Sequence, residues 1–349
     1  MKILHCIGSF FNGGAETLLV NLANEQVENG YDVHIMIVTT KWDKKLLEQL
    51  NHQIKISFVN KPIKSKNPYY LLKLLYKYHR IAPDILHLHG PSLAKIIFYK
   101  PKKEKRFVTL HNEVMNMPYS KTVDSYIAIS SCVKDAFKKK TGHDNCVICY
   151  NGIDFSKIKK KDYYLATPRR MLCIARVLFE TKAQDMVVKA YSLLPQNIKD
   201  NLTLDFWGDG PDLPKLRECI NALHLESHLH ALGNKENDYV NQHLSEYDII
   251  IQASHHEGLG LCAIEAMGAK VPLILSKAAG FIEVSENGTY AETFDCGSAQ
   301  SLSKAIENVF NYYTEACNKA CKAYEMALRK YSIIQYTVFT TDYYSIFYR

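Results

Sequence analysis

The sequence predicts an α/β protein made of two successive doubly wound halves. Three observations carry that prediction. Short apolar runs recur along the chain, helical patterns separate them, and the basic stretch Lys157-Ile158-Lys159-Lys160-Lys161 divides the series near its middle. Alternation of this kind is what βαβ units require. The 349 residues suffice for two domains of ordinary size. These are expected over residues 1–164 and 165–333, with the aromatic segment 334–349 as a terminal helix packing back on the first domain.

In chain order, Ile3–Ile7 reads as the first strand and Asn12-Gly13-Gly14 turns the chain. The next helix carries Leu18, Leu19, Leu22, Ala23 and Val27 on one face and stops at Asn29-Gly30. Further strands are expected at Val33–Val38, Lys55–Val59, Asp84–Leu88, Phe107–Leu110, Ser125–Ile129 and Cys146–Tyr150. Asn151-Gly152-Ile153-Asp154 is a turn. The second series runs Met171–Val177, Leu202–Trp207, Leu229–Leu232, Asp248–Ala253 and Pro272–Leu275. Continuous apolar runs suit parallel sheets buried on both faces. Ligands of such sheets sit at the carboxyl ends of the strands, so two such domains facing each other would frame a cleft.

Composition narrows the function classes. Hydrophobic residues make up 47% and charged residues 23%, the balance of a globular soluble chain. No apolar run approaches the ~18 residues of a membrane span. Met1–Ile7 resembles a short signal peptide, but a Gly-rich turn without a cleavage site follows, so a buried strand is the better reading. Ten cysteines form no framework, and Cys146-x-x-Cys149 lacks a second pair at zinc-ribbon spacing. Reduced thiols and a cytoplasmic location are expected. The net charge of +7 is uneven: Lys61 to Arg106 holds twelve Lys or Arg against Asp84 and Glu104. Nucleic acid, anionic lipid and phosphorylated substrates all suit such a patch, as does a plain solvated surface.

The most informative segment is Ser254-His255-His256-Glu257-Gly258-Leu259-Gly260-Leu261, running on through Glu265-Ala266-Met267. It leads from an expected strand into an expected helix. Gly258 and Gly260 are expected to expose backbone N–H groups at a helix N-terminus, an anion site that suits a diphosphate. The carboxylates Glu257 and Glu265 flank it and suit vicinal hydroxyls. Arg176 is expected to end the strand Met171–Val177, and Lys182 to begin the next helix. Both then project from one sheet edge and neutralise a diphosphate. Taken singly, each is equally a tight turn or a surface charge. No Asp-x-Asp pair occurs, so no metal is expected. His255-His256 has no metal-ligand spacing either. In the first half, alternation puts His87 and His89 on one strand face, with His89 nearer the carboxyl edge and His111 a second candidate.

Glu257-x7-Glu265 with its surroundings resembles the family 4 retaining glycosyltransferases of the GT-B fold. So do Asn12-Gly13-Gly14-Ala15-Glu16, Asn151-Gly152-Ile153-Asp154, Arg176 with Lys182, and Gly208-Asp209-Gly210-Pro211, in family order over essentially the whole chain. Lys182-Ala183 stands where the family usually has Lys-Gly. The resemblance implies the fold, two Rossmann-like domains facing a cleft, and the roles. Glu257 would contact the donor sugar and Glu265 the ribose. Arg176 and Lys182 would bind the diphosphate, with the backbone of Gly258, Leu259, Gly260 and Leu261 completing the cradle. Gly13 and Gly14 would face the donor phosphates and the acceptor, His89 the transferred sugar, and Asn234 and Lys235 the nucleobase.

The expected reaction moves a hexose or N-acetylhexosamine from a nucleoside diphosphate sugar, with UDP the preferred base, to a hydroxyl. Anomeric configuration would be retained, by front-face attack through an oxocarbenium-like transition state, without cofactor or metal. The amphipathic segment Asn67–Arg80 and the basic patch suggest a glycan or lipid-linked glycan acceptor, an anionic membrane surface and a role in cell-surface polysaccharide synthesis. The chain would then be cytoplasmic, peripheral on the inner face of the plasma membrane. Two alternatives stay open. One is a nucleotide-sugar 2-epimerase of the same fold. The other, a nucleic-acid-binding protein, is disfavoured because no recognised binding motif is present.

Overall fold

Every strand pairs in parallel with its neighbours, in two separate sheets. The structure is a computed structural model that describes residues 1–11, 13–111 and 119–348; Asn12 of the first expected turn and Arg349 of the terminal segment lie outside the described residues. The chain forms two units, Met1–Ile153 with Tyr331–Arg349, and Asp154–Lys330.

The first unit holds β1 (Lys2–Ile7), β2 (Asp32–Thr39), β3 (Lys55–Lys61), β4 (Ile85–His89), β5 (Lys105–Leu110), β6 (Ser125–Ala128) and β7 (Cys146–Ile148). Their spatial order is β3-β2-β1-β4-β5-β6-β7. The second holds β8 (Arg170–Ile174), β9 (Thr203–Trp207), β10 (Leu229–Ala231), β11 (Ile249–Gln252), β12 (Leu273–Ser276) and β13 (Glu292–Phe294), ordered β10-β9-β8-β11-β12-β13. Chain direction across the sheet reverses between β1 and β4, and again between β8 and β11. In doubly wound sheets the crevice at that reversal takes the ligand. The central strands are fully buried, as the all-buried Ile-Ile-Ile-Gln of β11 illustrates. Helices start and stop where the sequence supplies caps: Asn67 accepts from Tyr69 N at 2.9 Å to open Pro68–Ile81, and Gly142 at φ +73° closes Ser131–Thr141.

Three sequence expectations need correction. β13 was not expected; its three residues carry no apolar run. The strand expected to run to Val177 ends at Ile174; beyond it, Ala175 N donates to Trp207 O at the end of β9 and Val177 N to Asp209 O in the loop that follows. The first boundary falls after Ile153 rather than at 164, because the residues from Asp154 through the basic stretch 157–161 pack into the second unit. Phe155 and Ile158 are buried there, and Lys161 Nζ reaches Asp248 Oδ1 at 3.1 Å and Tyr247 O at 2.9 Å. Arg106 also leaves the basic surface. It is fully buried, bonded to Glu104 at 2.8 Å and to the carbonyls of Ile97 and Tyr99.

The terminal helix Ile333–Tyr348 belongs to the first unit, with Tyr344 4.8 Å from the Phe107 ring and Tyr343 Oη 2.7 Å from Ser125 Oγ. It is seated at Gly152: a Cβ there would stand 2.6 Å from Ile333 Cα and 2.7 Å from Tyr336 Cβ. Backbone on one side leaves no room to yield. Gly152→Val is expected to cost about 3 kcal/mol by overpacking, read as a lower urea midpoint with far-UV ellipticity retained. An unchanged midpoint would show that this contact does not seat the helix.

Candidate functional site

The loops after β8 and β11 meet at the reversal point of the second sheet. Lys182 Nζ lies 2.7 Å from Glu257 Oε2, and both side chains are about four-fifths shielded from solvent or slightly less. Ser254 Oγ adds a longer bond to the same oxygen at 3.4 Å. The backbones are tied as well, since His255 N donates to Thr181 O at 2.9 Å. Lys182 does not begin the long helix, as expected from the sequence; it ends a one-turn helix, Phe179–Lys182. Ala183 then turns the chain at φ +51° into the helix Gln184–Ser192.

Arg176 lies in the loop past the end of β8. It is exposed, and none of the described residues pairs with its guanidinium; its carbonyl is held by Gln184 Nε2 at 3.0 Å. The β8 loop thus presents one cation bound to a carboxylate and one unpaired.

Gly258, Leu259 and Gly260 are buried and lead into the helix Leu261–Gly268. Gly260 adopts φ +91°, where a side chain is strained, and a Cβ would strike the Phe281 ring at 2.4 Å. The sequence reading missed Gly280. Its missing side chain lets the helix Ala279–Val284 press on the loop, with Gly280 N on Glu257 O at 3.1 Å; a Cβ would stand 2.6 Å from that oxygen. The first N–H groups of the helix Leu261–Gly268 have no intrahelical acceptor, which makes its start suited to an anion.

Glu265 lies on that helix one turn in. Burial pushes its carboxyl up to about 7, with a bond to Cys262 partly offsetting. Cys262 was also missed. Its thiol is pushed far up, by burial first and then by the charge of Glu265. Asn234 and Lys235 fall in the loop after β10, where Asn234 is exposed and Lys235 Nζ sits 5.2 Å from the Tyr239 ring centre.

In the first unit, Gly13 caps the helix Gly14–Glu28 and Gly14 is its first residue. His89 ends β4 but is buried at 7% exposure, not open as its strand-end position suggests. Its Nε2 lies 3.1 Å from His5 Nδ1, and its ring stacks on His87 at 4.5 Å and faces His111 at 6.1 Å. His5 was missed because it stands among apolar residues of β1. The register that pairs His5 with His87 puts it on the same face.

Residues 155–325 match the profile of glycosyl transferases group 1, and residues 12–157 that of glycosyltransferase family 4. This chain belongs to the family 4 glycosyltransferases of the GT-B fold. It is similar to the N-acetyl-alpha-D-glucosaminyl L-malate synthase of Bacillus anthracis, 24% identical over 79% of each chain. It is also similar to the alpha-monoglucosyldiacylglycerol synthase of Acholeplasma laidlawii, 23% identical over 79% of this chain and 81% of that one. The peptide N-acetylglucosaminyltransferase GtfA subunit of Streptococcus agalactiae is 27% identical, but the match spans only 39% of its length. Among solved structures, Anabaena HepE in complex with UDP and glucose has a TM-score of 0.83 at 20% identity over 99% of both chains.

In this glycosyltransferase the buried imidazoles couple stability to pH. Burial lowers His5 and His111 to about 4 from an ordinary 6.5, and holds His87 and His89 well below 6.5 too. Below about pH 6.5 the unfolded chain takes up protons that the folded one refuses. Stability is therefore full above pH 6.5 and is lost as pH falls toward 4, by up to about 3 kcal/mol for His5 alone. The urea midpoint is expected to drop between pH 7 and pH 5, with a shallower drop in His5→Asn. Equal slopes for both proteins would refute the assignment to His5.

Proposed function

We propose that the chain transfers a hexose or N-acetylhexosamine from UDP-sugar to a hydroxyl with retention of anomeric configuration and without a metal ion. One observation carries the reading: Lys182 and Glu257 joined at 2.7 Å at the reversal point of the second sheet, beside a glycine-shaped helix start. The helix start and the unpaired Arg176 supply positive potential for a diphosphate. Lys182 shares its charge between Glu257 and the phosphates. Glu257 accepts from hydroxyls of the sugar, and Glu265, neutral in part near pH 7, accepts from or donates to the ribose. Asn234 and Lys235 pass the base. The Gly13-Gly14 turn serves the donor phosphates and the acceptor, and His89 the transferred sugar.

The departing phosphate takes the acceptor proton while the protein supplies position and charge. Bond breaking at the anomeric carbon places negative charge on the leaving phosphate. Arg176 therefore acts on the rate more than on donor affinity.

For the acceptor, a lipid-linked glycan at an anionic membrane surface fits best. Tyr69, Leu72 and Tyr76 form one exposed stripe on the helix Pro68–Ile81, with Lys73, Lys77 and Arg80 interspersed. Ile63, Phe98 and Tyr99 are further exposed apolar residues of the same unit, Tyr99 beside His79 of that helix. Such a stripe seats in the headgroup region while the cations meet anionic lipid. Among the described residues no helix is long and apolar enough to cross a membrane, so the attachment proposed is peripheral, with a role in surface polysaccharide assembly.

Lys182→Ala and Glu257→Ala are each expected to lower transfer by about a hundredfold or more, the loss typical of one charge-stabilising group, with the thermal midpoint nearly kept. Near-normal turnover in either variant would remove the site. EDTA is expected to leave turnover unchanged. In a thermal-shift panel of UDP-, GDP- and ADP-sugars, a UDP-sugar should raise the midpoint most, since only ligands of the native state stabilise it. No shift with any of them would refute the donor class.

A further inference from the structure

We infer that Gln26 and His5 are positioning residues that lock His89 in one neutral tautomer, leaving its Nδ1 as a bare acceptor reserved for a substrate hydroxyl. The inference rests on the proposed sugar transfer for its consequence, but its geometry lies wholly within the first unit.

The hydrogen-bond chain has one consistent proton order. Gln26 Oε1 lies 2.8 Å from His5 Nε2, so His5 carries its proton on Nε2. A neutral His5 then has a bare Nδ1, and only a donor can satisfy it. That donor is His89 Nε2 at 3.1 Å. With its single proton spent on His5, His89 presents an unprotonated Nδ1. This atom is shielded from solvent, and no described residue donates to it. A buried acceptor without a donor is costly, and such an atom in a native fold calls for a functional reason.

The opposite order needs the Gln26 amide reversed, with its nitrogen donating to His5. The surroundings oppose that. Gln26 Nε2 makes no hydrogen bond of ordinary length, and the amide lies beside the Tyr344 hydroxyl. Tyr344 Oη sits 2.5 Å from His87 Nδ1, and His87 Nε2 sits 2.6 Å from Thr109 Oγ1. With Tyr344 donating to His87, its oxygen is free to face the Gln26 N–H, and the whole network is in register.

A metal reading competes, since His5, His87 and His89 bring three ring nitrogens within 4.8 Å of one another. Both nitrogens of His5 and both of His87 are already engaged. An ion would have to break these bonds, and the relay breaks none.

The consequence is selectivity. A bare, desolvated lone pair accepts from an O–H and is left unpaired by a fluorine or a carboxylate in the same place. The relay therefore favours a ligand that carries a hydroxyl there.

Histidine tautomers are read directly in the full-length protein, labelled with 15N-histidine, by two-bond proton–nitrogen correlation. Cross-peaks are assigned by their loss in single variants. His5 and His89 are expected as neutral Nε2–H tautomers from pH 6 to 8, and the Nδ1 of His89 should shift on adding UDP-glucose or UDP-N-acetylglucosamine. An Nδ1–H form of His89 in the wild type would overturn the inference, and so would stoichiometric Zn²⁺ binding that moves His5 and His87. Kinetics give the second arm. His5→Leu and Gln26→Met should lower kcat about tenfold, the value of one hydrogen bond to a neutral group, with KM for the donor nearly constant. His5→Asn, which keeps an acceptor where Nδ1 was, should restore most of the rate. Equal kcat in His5→Leu and wild type, or equal loss in His5→Leu and His5→Asn, would refute the positioning role. If the tautomers are as stated but no nucleotide sugar shifts the His89 signal or the thermal midpoint, the sugar-transfer reading fails while the relay stands.

Discussion

The contact between Lys182 and Glu257 is the constraint on which the second unit's site depends. These residues are 75 positions apart, and they meet because β8 and β11 are neighbours at the reversal of the sheet. Each partner keeps part of its surface in water, so the pair sets the geometry of the site more than the stability of the fold. The pair also sets the electrostatic ground state of the site. Lys182 is balanced before any ligand arrives, whereas Arg176 is not. In the proposed reaction these cations do different work. A shared lysine can redistribute its charge as the phosphate changes, and a free guanidinium offers a planar fork of undivided positive charge.

Backbone shape makes that contact reachable. The one-turn helix Phe179–Lys182 stops at Ala183, whose φ of +51° costs an alanine about 1–2 kcal/mol. That turn sits immediately after the lysine and redirects the chain into the next helix. It also explains why Lys-Gly is usual in the resembled family: glycine adopts the same angle without the penalty. Opposite it, Gly260 and Gly280 let the β11 loop and the helix Ala279–Val284 close to backbone contact. Side chains are excluded from this region so that main-chain donors can line it.

Much of this was legible in the sequence because apolar runs between helical patterns locate strands, and strand ends locate sites. The segment from Ser254 to Glu265, and the cations Arg176 and Lys182, were found that way. What stayed hidden depends on pairing between distant parts of the chain. Glu292–Phe294 has no apolar run, and joins the sheet only because β12 offers an edge. Ile158 lies in the lysine-rich stretch 157–161 and Phe155 just before it, and only the fold reveals that Gly268 leaves room for both. Arg106 reads as surface charge, but Glu104 and two carbonyls make its burial tolerable. His5 is a lone polar residue in an apolar strand. Its meaning lies in the register that sets it beside His87, which no local pattern contains.

The two units therefore handle polarity in opposite ways. The second gathers formal charges, Lys182, Glu257 and Arg176, at a partly open sheet edge where they are balanced or left free. The first gathers four imidazoles, with His5, His87 and His89 buried and His111 partly so, and desolvation lowers the proton affinity of each. A neutral imidazole has one donor and one acceptor, so each bond in a chain of them fixes the next. Charged groups would break such a chain by making both ring nitrogens donors. The low proton affinity of His5 and His89 is thus what allows the order set at Gln26 to reach the end of β4, two hydrogen bonds away.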